Sequence, residues 1–312
     1  MTSTSPVPSA QAGTVTARGS LASHLVKAMR PRQWTKNLFV FAGLIFGDKL
    51  TDPRSGAIAL AAFGVFCLLS STVYLINDIR DREADQLHPV KSRRPIASGA
   101  LPVGIATVAA VAIGAAALGG AFFIGRAFFG ISALYLALLG AYSFSLKHVV
   151  ILDVLTLASG FVLRAAGGAL AVHVAFSHWL LLLMMLGALF LALSKRRAEL
   201  VSLADDAGTH RPSLAEYSPY LLDQMISVVT ASTLLAYAFY TINEETRAKF
   251  GTDLLLYTVP FPLYGIFRYL YLVHRKDGGG NPSDTLWEDR PTLVCVALWG
   301  ATVIAILYGP WR

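Results

Sequence analysis

The chain has 312 residues, of which 55% are hydrophobic and only 14% charged, with a formal net charge of +7. Soluble domains carry about 25% charged residues, so a soluble globular protein is excluded and a polytopic membrane protein is implied; the mean hydropathy of +0.56 agrees. The positive charge requires no nucleic-acid partner, because membrane orientation and contact with anionic bilayer lipids absorb it.

Residues 1–20 are rich in Ser, Thr, Pro, Ala and Gly and lack the apolar core and cleavage pattern of a signal peptide. This predicts a disordered cytoplasmic tail ahead of a single transmembrane catalytic domain over 21–312. Next, apolar Leu21, Leu25, Val26 and Met29 interleave with basic Lys27, Arg30 and Arg32, the pattern of an amphipathic helix lying on the membrane surface. Apolar segments able to cross a bilayer follow near 34–49, 57–79, 103–124, 128–146, 149–171, 179–193, 221–242, 254–273 and 291–308. The fold class is therefore all-α, with about nine transmembrane helices. The tight joins at Gly125-Arg126 and Lys147-His148 make their flanking helices antiparallel neighbours. Cys67 and Cys295 both lie in apolar segments, where packing explains them without a disulfide.

Nine crossings place about 18 Lys and Arg on the side of the N-terminus and about 6 on the other. The basic side is expected to be cytoplasmic, and it carries every polar motif.

The most informative motif is Asn77-Asp78-Ile79-Arg80-Asp81-Arg82-Glu83-Ala84-Asp85, where the second crossing leaves the membrane. Asn77, Asp81 and Asp85 are spaced four apart and Asp78 lies beside them, so one helical face carries four oxygen-bearing side chains. Such a face suits Mg²⁺, which takes few protein oxygens and completes its shell with water and phosphate. The basic run Lys91, Arg93 and Arg94 follows, as lipid contact or as a loop folded back over a bound diphosphate. Tyr142 and Lys147 end the fourth crossing, either as interfacial anchors or as phosphate ligands. Asp153 lies one to two turns below the surface, at the depth of a site floor. Arg164 is on the same face three turns deeper. Lys36 and Asn37 are near enough to the cytoplasmic surface to reach the same place.

The spacing Asn77-Asp78-x-x-Asp81-x-x-x-Asp85, followed by Lys91-x-Arg93-Arg94-Pro95, resembles the first aspartate-rich motif of the UbiA-type intramembrane prenyltransferases. The resemblance covers nearly the whole chain from Met29. It implies a cytoplasm-facing cavity in which Asn77, Asp78, Asp81 and Asp85 hold Mg²⁺. The second aspartate motif of that family is replaced here by Lys195-Arg196-Arg197-Ala198-Glu199; Asp205-Asp206 follow at a different spacing. The runs from Arg30 to Asn37, from Tyr142 to Asp153 and from Gly160 to Arg164 are similar to one branch, the decaprenyl-phosphate phosphoribosyltransferases. This resemblance implies an Mg-dependent transfer of 5-phosphoribosyl from phosphoribosyl diphosphate to a polyprenyl phosphate, a step toward cell-wall arabinan. Asp78, Asp81, Asp85, Lys147 and Asp153 are then the expected catalytic residues. Lys36, Asn37, Lys91, Arg93, Arg94, Tyr142, Lys195 and Arg196 are the expected substrate-binding ones. A prenyltransferase acting on a small acceptor and a transporter of anionic substrates are the alternatives, and a homo-oligomer is compatible with all three readings.

Overall fold

The computed structural model describes residues 20–175, 177–203, 212–275 and 288–309. The tail expected before Ser20 and the pair Asp205-Asp206 lie outside the described residues. In chain order these form α1 (Leu21–Met29), a 3-10 stretch (Pro31–Phe41) continued by α2 (Ala42–Phe46), α3 (Pro53–Arg80), α4 (Arg82–Leu87), a 3-10 turn (Lys91–Arg93), α5 (Val103–Ile124), α6 (Arg126–Phe144), a 3-10 turn (Leu146–His148), α7 (Leu152–Ala171), α8 (His178–Leu203), α9 (Pro212–Ala215), α10 (Pro219–Ile242), α11 (Glu244–Phe250), a 3-10 stretch (Leu254–Thr258), α12 (Pro260–Arg275) and α13 (Arg290–Tyr308). No strand occurs among the described residues.

Seven of these helices, α3, α5, α6, α7, α8, α10 and α13, are long and apolar enough to cross a membrane. The crossings expected at 34–49 and 254–273 are helical too, but each is broken into a 3-10 stretch and a shorter α-helix. Pro260 and Pro262 have no N–H to give, which breaks the second of them. The first is irregular because it is pressed against α7. A Cβ built on Gly168 would lie 1.9 Å from the Val40 carbonyl oxygen, and one on Gly43 would lie 2.6 Å from the Ala169 backbone. Backbone meets backbone there, and only glycine fits. Gly168→Ala is expected to destabilise the protein by about 1–3 kcal/mol, the usual cost of overpacking. Gly140→Ala, with open space around it, should cost nothing; thermal unfolding of both variants in detergent checks the pair.

α3 organises the rest. Asp52 caps it by accepting from the Arg54 and Ser55 amides, and Pro53 sits in its first turn, where no N–H is needed. Its 28 residues extend about 42 Å, longer than the roughly 30 Å hydrocarbon layer, so its last turns emerge. Phe66 is fully buried on α3, edge-on to Phe128 and Tyr135 of α6 at centroid distances of 5.8 and 5.3 Å. α5 turns its buried Ala106, Ala110, Gly114, Ala117 and Ala121 inward, a stripe of small residues that lets helices approach closely within lipid. Its other face exposes Val108, Val111 and Phe123, which suits contact with acyl chains. As expected from the short joins, α5 packs on α6 and α6 on α7.

Candidate active site

The helical register runs through the end of α3 into α4. The Asp81 amide donates to the Asn77 carbonyl at 2.9 Å, and the Asp85 amide to the Asp81 carbonyl at 2.8 Å. The spacing of four therefore holds across the junction, and the carboxylates stay on one side. Asp78 and Asp85 are buried, while Asp81 and Asn77 are partly open.

Each carboxylate faces a cation from a different part of the chain. Arg30 Nη2 lies 2.5 Å from Asp78. Arg94 Nη1 sits between two acids, 3.1 Å from Asp78 and 2.6 Å from Asp85. Lys147 Nζ pairs with Asp81. Burial holds the Asp85 carboxyl above the ordinary carboxylate range, opposed by the Arg94 and Lys91 charges.

Local structure explains how the cations arrive. Ser20 caps α1 by accepting from the Ser23 amide, and Ala28 packs with Leu75, Ile96 and Leu101. Trp34 Nε1 donates to Ser71 Oγ at 3.1 Å, fastening this region to α3. Arg30 ends α1 in a left-handed conformation (φ 57°) that turns the chain and lays its guanidinium over the Tyr74 ring. Beyond α4 the chain folds back: Gln86 Nε2 donates to the Ala97 carbonyl at 3.1 Å, and buried Ile96 and Leu101 anchor the return. That return carries Arg94 inward and leaves Lys91 half-buried and Arg93 exposed.

Other expected site residues have different neighbours. Asn37 is fully buried, accepting from Arg164 Nε at 2.7 Å and donating to Ser70 Oγ at 3.2 Å. These bonds tie the first stretch to α3 and α7. Asp153 is also fully buried. Its two oxygens accept from Arg196 Nε and from the Tyr217 hydroxyl, both at 2.8 Å. Arg196, expected to meet phosphate, is 2% exposed, and its guanidinium also reaches Glu199 at 2.6 Å and the Tyr142 hydroxyl at 3.5 Å. Asp153 and Arg196 thus pair with each other in the wall of the site, as desolvated charges at this depth must. Lys195 sits 3.8 Å from Glu199 along α8 and is more exposed; Lys36 is half-buried.

Tyr217 goes unmarked in the sequence, and Arg30 stands there only in the basic amphipathic stretch and at the head of the Arg30–Asn37 run, with no site role of its own. Arg30 had a readable cue, a basic residue before Pro31 at the end of that stretch. Tyr217 had none. Burial pushes its phenol up to about 12, so it stays a hydrogen-bond donor.

Among the described residues no three His, Cys, Asp or Glu side chains form a ready-made metal cage. Mg²⁺ does not need one, taking one or two carboxylates and completing its octahedron with water and phosphate. Asp78 and Asp85 straddle a single guanidinium nitrogen, which stands where a small cation would. The donor set fits such an ion. Three carboxylates against Arg30, Arg94 and Lys147 balance, so a divalent ion leaves positive charge for an anionic substrate to meet.

Residues 37–285 match the model of the UbiA prenyltransferase family. A decaprenyl-phosphate phosphoribosyltransferase of Mycolicibacterium smegmatis is 36% identical over 93% of this chain and 94% of its own length. One of Corynebacterium glutamicum is 35% identical over 93% and 88%. A UbiA homologue from Archaeoglobus fulgidus, solved bound to GPP and Mg²⁺, superposes with a TM-score of 0.69 at 18% identity, covering 91% of this chain and 99% of that one. The chain belongs to the UbiA prenyltransferase family, on the branch that these two phosphoribosyltransferases represent.

Proposed function

We propose that this chain transfers 5-phosphoribosyl from phosphoribosyl diphosphate to a polyprenyl phosphate, releasing diphosphate and forming polyprenylphosphoryl-ribose 5-phosphate. Residues 21–312 act as one catalytic domain whose site opens to the cytoplasm of a bacterial inner membrane. The observation that carries the reading is the row Asp78, Asp81 and Asp85, faced by Arg30, Arg94 and Lys147 at the exit of a crossing helix. The two relatives named above support the donor and acceptor.

Asp78, Asp81 and Asp85, with Asn77, would hold Mg²⁺, as the Mg²⁺-bound homologue supports. When bound, Mg²⁺ neutralises the diphosphate as the C1–O bond breaks. Lys147, Arg30 and Arg94 exchange carboxylate for phosphate oxygens and stabilise the charge that gathers on the leaving group. Lys91 and Arg93 line the returning loop and meet the donor from outside. Lys36 and Lys195 hold the 5-phosphate or the acceptor head. The ribose becomes oxocarbenium-like, and a phosphate oxygen of the lipid attacks C1 from the opposite face. That oxygen is already anionic, so no general base is required. Asp153 and Arg196 set the shape of the wall and do not touch the substrate.

A prenyl transfer in the manner of other family members needs a second acidic motif. The corresponding stretch at the end of α8 instead turns Arg196 into the wall and pairs Arg197 with Asp223 at 2.5 Å. The test gives purified full-length protein labelled phosphoribosyl diphosphate, Mg²⁺, and polyprenyl mono- or diphosphates. Label is expected in lipid with the monophosphates alone. Label transfer with neither lipid, or prenyl transfer from the diphosphates, overturns the assignment.

A further inference from the structure

The connection between α6 and α7 contains the most strained backbone near the site. Ile151 has φ 68° and ψ −46°, and the Leu152 amide donates to the Val150 carbonyl at 2.8 Å. Together these define the rarer, strained form of γ-turn. A β-branched residue at its centre is a genuine outlier, and strain of this kind costs on the order of 1–3 kcal/mol. Something must hold it.

Two contacts from one short segment do so. The Ile151 amide donates to the Tyr217 hydroxyl at 2.7 Å, and that hydroxyl donates to Asp153 Oδ1 at 2.8 Å. Asp153 is fixed in turn by Arg196 Nε. At the other end of the same segment, Ser213 Oγ donates to the Lys147 carbonyl at 3.0 Å. Ser213 and Tyr217 are both buried. The segment therefore grips the α6–α7 connection at two places, at the backbone of Lys147 itself and at the strained turn that follows it. Lys147 is 6% exposed and reaches Asp81 only from this connection.

We propose that Tyr217 is a positioning residue for Lys147, holding the strained turn at Ile151 so that the ammonium group is aimed at the diphosphate site, with Ser213 as the second point of the clamp. This rests on the assignment of Lys147 to that site. Without the hydroxyl, the turn relaxes toward ordinary backbone angles. Lys147 then loses its aim, while the carboxylates of α3 and α4 stay where they are.

The test compares Tyr217→Phe, Ser213→Ala, Lys147→Met and the double variant Tyr217→Phe/Ile151→Gly, in full-length protein. Tyr217→Phe is expected to lower kcat by roughly 10- to 100-fold, the range for loss of a group that orients a ligand-bearing side chain, with KM for the polyprenyl phosphate and Mn²⁺ affinity unchanged. Adding Ile151→Gly should restore kcat, because glycine takes φ near +68° without strain and no longer needs the hydroxyl. Ser213→Ala should lower kcat in the same sense by less, which covers the case of a poorly folding Tyr217 variant. Wild-type kcat in both single variants, or a loss that the glycine does not rescue and that follows the drop in unfolding temperature, overturns the proposal. If Lys147→Met is inactive while Tyr217→Phe is fully active, only the positioning role falls. If Lys147→Met keeps wild-type turnover, the assignment beneath it falls as well.

Discussion

Asp81→Ala is expected to lower phosphoribosyl transfer by roughly 100- to 1,000-fold, the scale for removing one charge-stabilising group from an active site, while the protein still inserts and purifies. Asp81 is the most open of the three carboxylates, with its side chain 29% exposed against 2% and 5% for Asp78 and Asp85. It is therefore the one an incoming ion meets first. Its partner Lys147 has a side chain only 7% exposed, so either single substitution leaves a charge poorly paired and costs about 1–3 kcal/mol of stability. A double-mutant cycle separates the two effects. Asp81→Asn with Lys147→Met should recover the stability that each single change loses, since no orphaned charge remains. Activity should not recover, since both groups act on the diphosphate. Unfolding temperature and label transfer, measured on the same four proteins, read the two quantities. Full turnover in Asp81→Ala would remove the carboxylate row from the reaction.

Arg164→Ala is expected to be among the most damaging substitutions for stability, on the order of 3–5 kcal/mol. Arg164 is buried in α7. It donates to Asn37 Oδ1, the Gly160 carbonyl and the Tyr135 hydroxyl at 2.7, 2.9 and 2.7 Å. Its guanidinium also lies over the Tyr135 and Phe161 rings at 4.9 and 5.1 Å. Among the described residues these partners are neutral, so the charge is held by dipoles and ring faces rather than by an acid. Truncation strips these three acceptors of their guanidinium donor and frees the first stretch, which carries Lys36 and follows Arg30. Arg164→Lys should rescue little, because an ammonium group cannot reach three partners in one plane. Yield and thermal unfolding in detergent check both variants; near-normal unfolding of Arg164→Ala would show that Asn37 and Tyr135 do not depend on it.

The sequence made some of this legible and hid the rest for physical reasons. Hydropathy alone located the core of every long helix, and for α5 the limits 103–124 coincide with the observed element. It did not reveal the breaks within 34–49 and 254–273, because hydropathy counts apolar residues and does not register prolines or a backbone pressed against Gly168. The carboxylate row was readable because the repeat of four is a local property of one helix. Partners were not. Arg30 meets Asp78 across 48 positions, Arg196 meets Asp153 across 43, and Tyr217 meets Asp153 across 64. Such pairings come from packing, and the charge pattern alone does not show that Arg196 and Asn37 are buried against Asp153 and Arg164. Arg164 was placed on the face of Asp153 by its spacing, yet it turns to Asn37 and Tyr135 instead.

The most direct test of the carboxylate row is Mn²⁺ binding to the purified protein, followed by electron paramagnetic resonance with and without phosphoribosyl diphosphate. The wild-type protein should bind Mn²⁺ saturably, with affinity raised by the donor. A variant carrying Asp78→Asn, Asp81→Asn and Asp85→Asn should lose both the binding and the donor effect. Undiminished, donor-sensitive Mn²⁺ binding in that variant would place the ion elsewhere and contradict the assignment of the α3 exit as the diphosphate site.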